Sequence, residues 1–408
     1  MLNFIDGGVC AAQGFRAAGV HAGVKTHAEW KKDVALIVSD VDCAAAAVFT
    51  KNVVKAAPIH VDLLHLADGK ARAIIANSGN ANACAPQGEE NAERMCAAAA
   101  RALGCRPEDV LVSSTGVIGQ RINVEAVEAA IPALCAALER SAEASDAAGH
   151  AIMTTDTVKK EAAVETTVGG RTVRIGGIAK GSGMIHPNMG TMLCFLTTDC
   201  AISPAMIKAA LLETARVSFN RISVDGDTST NDTCCVLANG LAGNEIISAG
   251  GPDYDAFLAA LKALCAELAK KMASDGEGAR HLITCTVQGA KSEQSAETIA
   301  KSVVSSTLTK AAIFGADANW GRVLCAMGYS GEEFDPERVS VHFASAAGEI
   351  AVCADGRGLD FDEDLAKKIL TEHDVEIRIA MGEGSGDCTC WGCDITYDYI
   401  KINGDYRT

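Results

Sequence analysis

Apolar positions in this chain come in short runs set between glycine-rich or polar stretches, the rhythm of alternating strands and helices. In the first half, 33–39 (DVALIVS), 44–52 (AAAAVFTKN) and 72–77 (RAIIAN) read as strands. Residues 8–24 are small and glycine-rich, a loop or irregular strand. The last strand runs into SGNANA (78–83), a polar turn. A helix follows over about 88–103, ended by Gly104. The segment 108–119 (EDVLVSSTGVIG) predicts a strand that delivers Thr115 and Gly116 at its C-terminal end. Asn123 caps a helix to about Arg140, with Val124, Val127, Ile131, Leu134 and Leu138 on one stripe. The pattern then gives a strand at 151–156 (AIMTTD) and a hairpin over 164–179 turning at Gly169–Gly170.

In the second half, Ser203–Pro204 starts a helix to about Phe219, serine as N-cap and proline at the first turn. The stretch 221–233 (RISVDGDTSTNDT) is acidic and rich in hydroxyls; it lacks EF-hand spacing and reads as a hydrogen-bonded loop. A strand (TCCVLANG), a helix from Tyr254 to Ala273, a strand (HLITCTVQGA) and a helix over 292–305 follow. The run 315–322 (GADANWGR) opens another helix. Strands near 338–345 and 348–353, a helix over 362–372, a strand over 375–382 and a closing strand in YDYIKINGDYRT complete the pattern. No repeat, low-complexity tract or flexible linker interrupts it.

The formal charge of −16 argues against nucleic acid or an anionic membrane as partner. No stretch has the length and apolarity of a membrane span, and the first residues lack the pattern of a signal peptide, so the cytoplasm is the expected location. The 17 cysteines are scattered inside apolar runs, as reduced buried cysteines are. Cys388, Cys390 and Cys393 lack a fourth ligand at zinc spacing.

The most distinctive stretch is KGSGMIHPNMGTMLCFLTTD, Lys180 to Asp199. A glycine-rich approach meets a buried strand at Gly190–Thr191. A threonine hydroxyl there can attack its own preceding carbonyl, shift the peptide to an ester and release a new N-terminus. Glycine at 190 tolerates the strained dihedrals this needs. The freed α-amine, with a pKa of about 7.7–8.0, then serves as base to the hydroxyl on the same residue. From the residues alone, a buried edge strand after a loop is the better reading, because Gly–Thr pairs are common. Glu277, between two glycines in DGEG, suits a substrate ammonium group or is a plain exposed loop glutamate.

This stretch resembles the signature of the ornithine acetyltransferase family, the bifunctional glutamate N-acetyltransferase/amino-acid acetyltransferases, and the resemblance spans essentially the whole chain. The family pattern has alanine where this chain has Gly190. The resemblance implies a four-layer α/β/β/α fold and self-cleavage at Gly190–Thr191. That would give an α chain, 1–190, and a β chain, 191–408, in a heterotetramer of two of each. It implies Thr191 as nucleophile and Thr115 and Gly116 as the oxyanion hole. It implies Thr154, Lys180, Thr191, Glu277, Asn403 and Thr408 as substrate-binding residues. The reaction implied moves the acetyl group of N2-acetyl-L-ornithine to L-glutamate in arginine biosynthesis, without metal or prosthetic group. Use of acetyl-CoA as a second donor is open on sequence, and a self-processing aminopeptidase or amidase is the alternative.

Overall fold

The computed structural model of the protein describes residues 2–25, 31–186 and 192–405. These form two compact units. The first draws on 2–25, 31–181, 192–220 and 228–268, the second on 182–186, 221–227 and 269–405.

The first unit opens with β1 (Asn3–Ile5), β2 (Phe15–Val20), β3 (Val34–Phe49), α1 (Ala57–His65), β4 (Lys70–Asn80) and α2 (Gly88–Leu103). It continues through β5 (Val110–Val117), α3 (Val124–Ala136), α4 (Ala142–Ile152), β6 (Lys160–Val168), β7 (Arg171–Lys180), β8 (Leu193–Thr198) and α5 (Pro204–Val217). After β9 (Ile222–Ser223), which belongs to the second unit, come β10 (Thr233–Ala238) and most of α6 (Pro252–Ser274). Nine strands make one sheet in the order β1-β6-β7-β8-β10-β3-β4-β5, with β2 also on β3.

β3 is the pivot of that sheet. The sequence pattern gave two strands at 33–39 and 44–52; they are one, whose pairing with β4 slips between Val38 and Cys43. Asp40 to Asp42 are exposed at the slip. Its first half pairs with β2 and its second with β10. Side chains alternate across it. Leu36 and Val38 face a core made with Val61 of α1, Met95 and Cys96 of α2 and Val127, Ile131 and Leu134 of α3. Ala35 and Ile37 face a second core, shared with Ala148 and Ile152 of α4 and with Phe195 and Leu237 of β8 and β10. On the far face of β7 and β8, a Cβ at Gly177 would meet Leu196 and Leu268 of α6, and α5 packs on β3. The fold is the expected α/β/β/α type, with α4 packed on β2, β3 and β7. Strands buried on both faces explain unbroken apolar runs such as LCFL.

The second unit has β11 (Leu282–Ala290), α7 (Glu293–Ser305), α8 (Thr307–Phe314), α9 (Trp320–Gly328), β12 (Ser340–Ser345), β13 (Gly348–Ala354) and β14 (Arg357–Gly358). It ends with α10 (Glu363–Thr371), β15 (Asp374–Ala380), β16 (Gly386–Cys393) and α11 (Tyr397–Gly404). Its sheet runs β14-β13-β12-β15-β11-β16-β9. One face, with Ile283, Phe343, Ile377 and Cys390, packs on α7, α9 and α10. Period-two alternation in β15 (exposed, buried, half-buried, buried) puts Glu376 and Arg378 on the other.

Local chemistry explains the boundaries. Ser203 Oγ accepts from Met206 N–H with Pro204 at the first helical position, Asn123 caps α3, and Ser292 caps α7. Gly169 and Gly170, at φ 54° and 74°, make the two-residue turn with both residues left-handed that a tight hairpin needs. Two expectations are corrected. Residues 151–156 are not a strand: Ser141 caps the alanine-rich helix α4, which runs to Ile152 and ends in irregular chain. Tyr397–Gly404 is not a strand either: Thr396 accepts from Asp398 N–H and starts α11. α3 also stops at Ala136, short of Arg140, and α8 was not foreseen.

Candidate active site

β7 ends at Lys180, directly opposite Leu193, the first residue of β8. The intervening chain carries Gly190 and Thr191, which lie outside the described residues, as does Thr408. Met192 is buried, and its carbonyl accepts from Thr233 N–H at 2.8 Å.

Lys180 is buried at the end of β7. Its Nζ lies 3.5 Å from Thr115 Oγ1 and 3.9 Å from Asp156 Oδ2. Asp156, unremarked in the sequence, is the hub. Its carboxylate accepts from Lys160 Nζ at 2.5 Å, Gly181 N–H at 2.8 Å and Thr154 N–H at 3.0 Å. Both the Lys160 and Asp156 side chains are 0% exposed. Burial pushes the Asp156 carboxyl up, but the charges of Lys180 and Lys160 and these hydrogen bonds outweigh it and hold the group well below the usual range. Lys25 belongs to the same neighbourhood: it donates to Met153 O at 2.9 Å, and burial lowers its pKa to about 8, with Lys180 adding in the same direction. Its loop is fixed by the fully buried Asp33, whose carboxylate accepts from the N–H groups of Ala22, Gly23, Val24 and Lys25.

Thr115 and Gly116 sit at the end of β5, paired in parallel with Ser78 and Gly79 of β4. Gly116 has φ 133°, and a Cβ there would run into the Gly79 backbone. Only glycine allows this close approach. The SGNANA segment frames it. Asn77 accepts from Ser114 Oγ and donates to Asn80 O, and Asn231 Nδ2 donates to the carbonyls of Ala81 and Ser114. The structure therefore brings Thr115, Gly116, Thr154 and Lys180 together, through Asp156.

In the second unit Glu277 is buried and accepts from Asn403 Nδ2 at 2.7 Å, while its own N–H donates to Ser182 O. A Cβ at Gly183 would overlap the Glu277 carboxylate, and one at Gly278 would meet the α11 backbone, so the flanking glycines do permit close packing. Asp225, in the acidic loop, accepts from Met184 N–H at 2.5 Å and Ile185 N–H at 2.9 Å. That loop ties down the glycine-rich approach by hydrogen bonds. Cys388, Cys390 and Cys393 lie along β16. Among the described residues no helix is long and apolar enough to cross a membrane.

A strand end carrying a buried lysine, a buried carboxylate and a threonine–glycine turn defines an α/β protein with a paired, buried charge cluster. The ArgJ family model matches residues 16–408, and the chain belongs to that family. It is 51% identical over 408 residues to the arginine biosynthesis bifunctional protein ArgJ of Symbiobacterium thermophilum, covering all of both chains. To the protein of the same name from Bacillus subtilis it is 46% identical, over 99% of this chain and 97% of that one. Among solved structures, ornithine acetyltransferase of Mycobacterium tuberculosis complexed with ornithine is 39% identical. It covers 46% of this chain and all of its own, at a TM-score of 0.43.

Proposed function

We propose that this protein transfers the acetyl group of N2-acetyl-L-ornithine to L-glutamate through an acetyl-Thr191 intermediate, after cutting itself at Gly190–Thr191. Membership of the ArgJ family along nearly the whole chain carries the reading. The arrangement of Lys180, Asp156 and Thr115 at the strand end that leads to Thr191 supports it.

In the first half-reaction Thr191 Oγ attacks the acetyl carbonyl while its α-amine takes the hydroxyl proton. Thr115 and Gly116 donate to the oxyanion, an interaction that strengthens as charge develops. The tetrahedral intermediate collapses, the carbon–nitrogen bond breaks, and ornithine leaves with the proton. In the second, the glutamate amine attacks the acetyl ester and the α-amine again moves the proton. Splitting the transfer in two is the gain of a covalent intermediate. On the resemblance Lys180, Thr154 and Glu277 bind the amino acid; Glu277, which accepts from Asn403 Nδ2, suits an ammonium group. Thr408 is assigned to substrate binding on the resemblance alone. The chemistry calls for no metal or prosthetic group; acetyl-CoA is an alternative donor.

Cleavage gives chains 1–190 and 191–408, which we infer assemble as two of each. Strand order supports their staying joined: β8 and β10, from the second chain, lie between β7 and β3, from the first. Mixing pure protein with glutamate and either acetylornithine or acetyl-CoA, then measuring N-acetylglutamate, tests the activity. Release of acetate without N-acetylglutamate would point instead to an amidase. Thr191→Ala should stay full-length on a denaturing gel; two fragments cut at the same bond would overturn the self-cleavage.

A further inference from the structure

Asp232 is a buried carboxylic acid to which the reaction above gives no work. It is 1% exposed, at the start of β10. Parallel pairing sets Thr233 against Leu193, which brings Asp232 level with Met192, the residue after Thr191. Thr233 N–H donates to the Met192 carbonyl, and Thr50 N–H donates to the Asp232 carbonyl, so the strand start is fixed from two sides. Among the described residues Oδ2 of the Asp232 carboxyl has no hydrogen-bond partner. A fully buried carboxyl oxygen without a partner is costly to keep, and the residue level with it on the neighbouring strand, Met192, follows Thr191 directly in the chain. Standard bond lengths hold the nitrogen of Thr191 within about 3.7 Å of the Met192 nitrogen in any conformation.

We propose that Asp232 is the proton donor for self-cleavage: its carboxyl hands a proton to the Thr191 nitrogen as the Gly190–Thr191 bond breaks. This inference rests on the reading that Thr191 is the nucleophile. In the step, Thr191 Oγ forms a bond to the Gly190 carbonyl carbon and the carbon–nitrogen bond breaks. The nitrogen takes the Asp232 proton, and the proton released by the hydroxyl returns to the Asp232 carboxylate. Water then hydrolyses the ester, leaving Gly190 as a carboxylate and restoring the Thr191 hydroxyl. Without a proton the departing amide nitrogen would be a strong base and a poor leaving group. Burial keeps the carboxyl protonated: it pushes the group well above the ordinary range, against the opposing pull of the Ser229 and Thr50 hydroxyls, the Lys180 charge and the Met192 N–H.

The test follows full-length chain turning into two fragments during cell-free synthesis, for wild type, Asp232→Asn and Asp232→Glu. Asparagine keeps the shape and loses the acid; glutamate keeps the acid. The Asn variant should cleave about 100-fold more slowly or worse, and the Glu variant should recover part of the rate. Asn cleavage within about twofold of wild type, or failure of the Glu variant alone, overturns the proposal. Should the Asn variant lack a cooperative thermal transition, wild-type cleavage against pH decides: the rate must fall once pH rises past the carboxyl's raised pKa, and a rate that only climbs overturns it. A wild-type chain that never cleaves would instead sink the nucleophile reading, so the two failures are told apart.

Discussion

The two sheets handle charge in opposite ways. The sheet of the first unit has packed side chains on both faces, so a charge at its strand ends is taken out of water and must be paired. Asp156, Lys160 and Lys180 are such a group, fastened also to the backbone of 154 and 181. In the second unit the helices α7, α9 and α10 pack on one face of the sheet. On its other face Arg378 pairs with Glu376 and Glu349, all close to half exposed. A charged group is informative where the fold has denied it solvent; the same ion pair on an open face says little.

The contrast is sharpest for Asp156→Ala. The change leaves Lys160 buried without its carboxylate and should cost about 3–5 kcal/mol of stability, read from denaturant unfolding. The loss should also scatter Lys180 and Thr154 and abolish acetyl transfer. An unfolding midpoint like that of wild type would break the comparison. Wild-type stability should show the matching pH signature. The folded pKa of Asp156 lies below its unfolded value, so its contribution is fully present above the ordinary carboxylate pKa and is lost as pH falls through the depressed one. Acid unfolding through this group therefore belongs to strongly acidic solution; a midpoint within the ordinary carboxylate range would count against it.

Next in size is Thr115→Ala. Removing one oxyanion donor costs about 100- to 1000-fold in turnover. The cleaved variant should lose kcat for transfer while KM for acetylornithine moves little. An unchanged kcat would remove Thr115 from the chemistry and leave it as a contact of Lys180.

Asn403→Ala tests the second unit. It takes one hydrogen bond from the Glu277 carboxylate. A bond to a charged group is worth about 1.5–3 kcal/mol, roughly ten- to a hundredfold in affinity. KM for acetylornithine should rise by that order while fragments appear at the wild-type rate, since cleavage binds no amino acid. Slowed cleavage, or an unmoved KM, would contradict the role given to Glu277.

Much of this was legible beforehand because caps and turns are local. Gly104, Asn123, Ser203 and the Gly169–Gly170 turn say where elements stop using only their own side chains or backbone freedom. The tail and 151–156 misled because short runs with a few apolar residues fit either period, and Tyr397 and Ile400, which suggest a strand, are exposed on α11. Thr115, Gly116, Lys180, Glu277 and Asn403 came from the family pattern. Asp156 and Asp232 did not show, since an aspartate among threonines looks the same solvated or buried. Burial is decided by chain far away in sequence: Thr50, after β3, and Met192, before β8, flank the segment at Asp232 and Thr233, and nothing near residue 232 announces them.

The smallest effect belongs to the open face. Arg378 Nη1 lies 2.6 Å from Glu349, and Nη2 lies 2.6 Å from Glu376; it also sits opposite His342 across β12 and β15. By distance alone these pairs look as strong as Asp156–Lys160. Their side chains are 45–46% exposed, so water screens the attraction and holding two long side chains in place has an entropic cost. Arg378→Ala should therefore change stability by no more than about 1 kcal/mol, and the difference should shrink as salt is raised. Acetyl transfer should not change. A loss approaching that of Asp156→Ala would mean that this face is covered in solution, since only exclusion of water gives a surface pair the strength of a buried one. Unfolding followed against protein concentration would then show whether a second copy covers it.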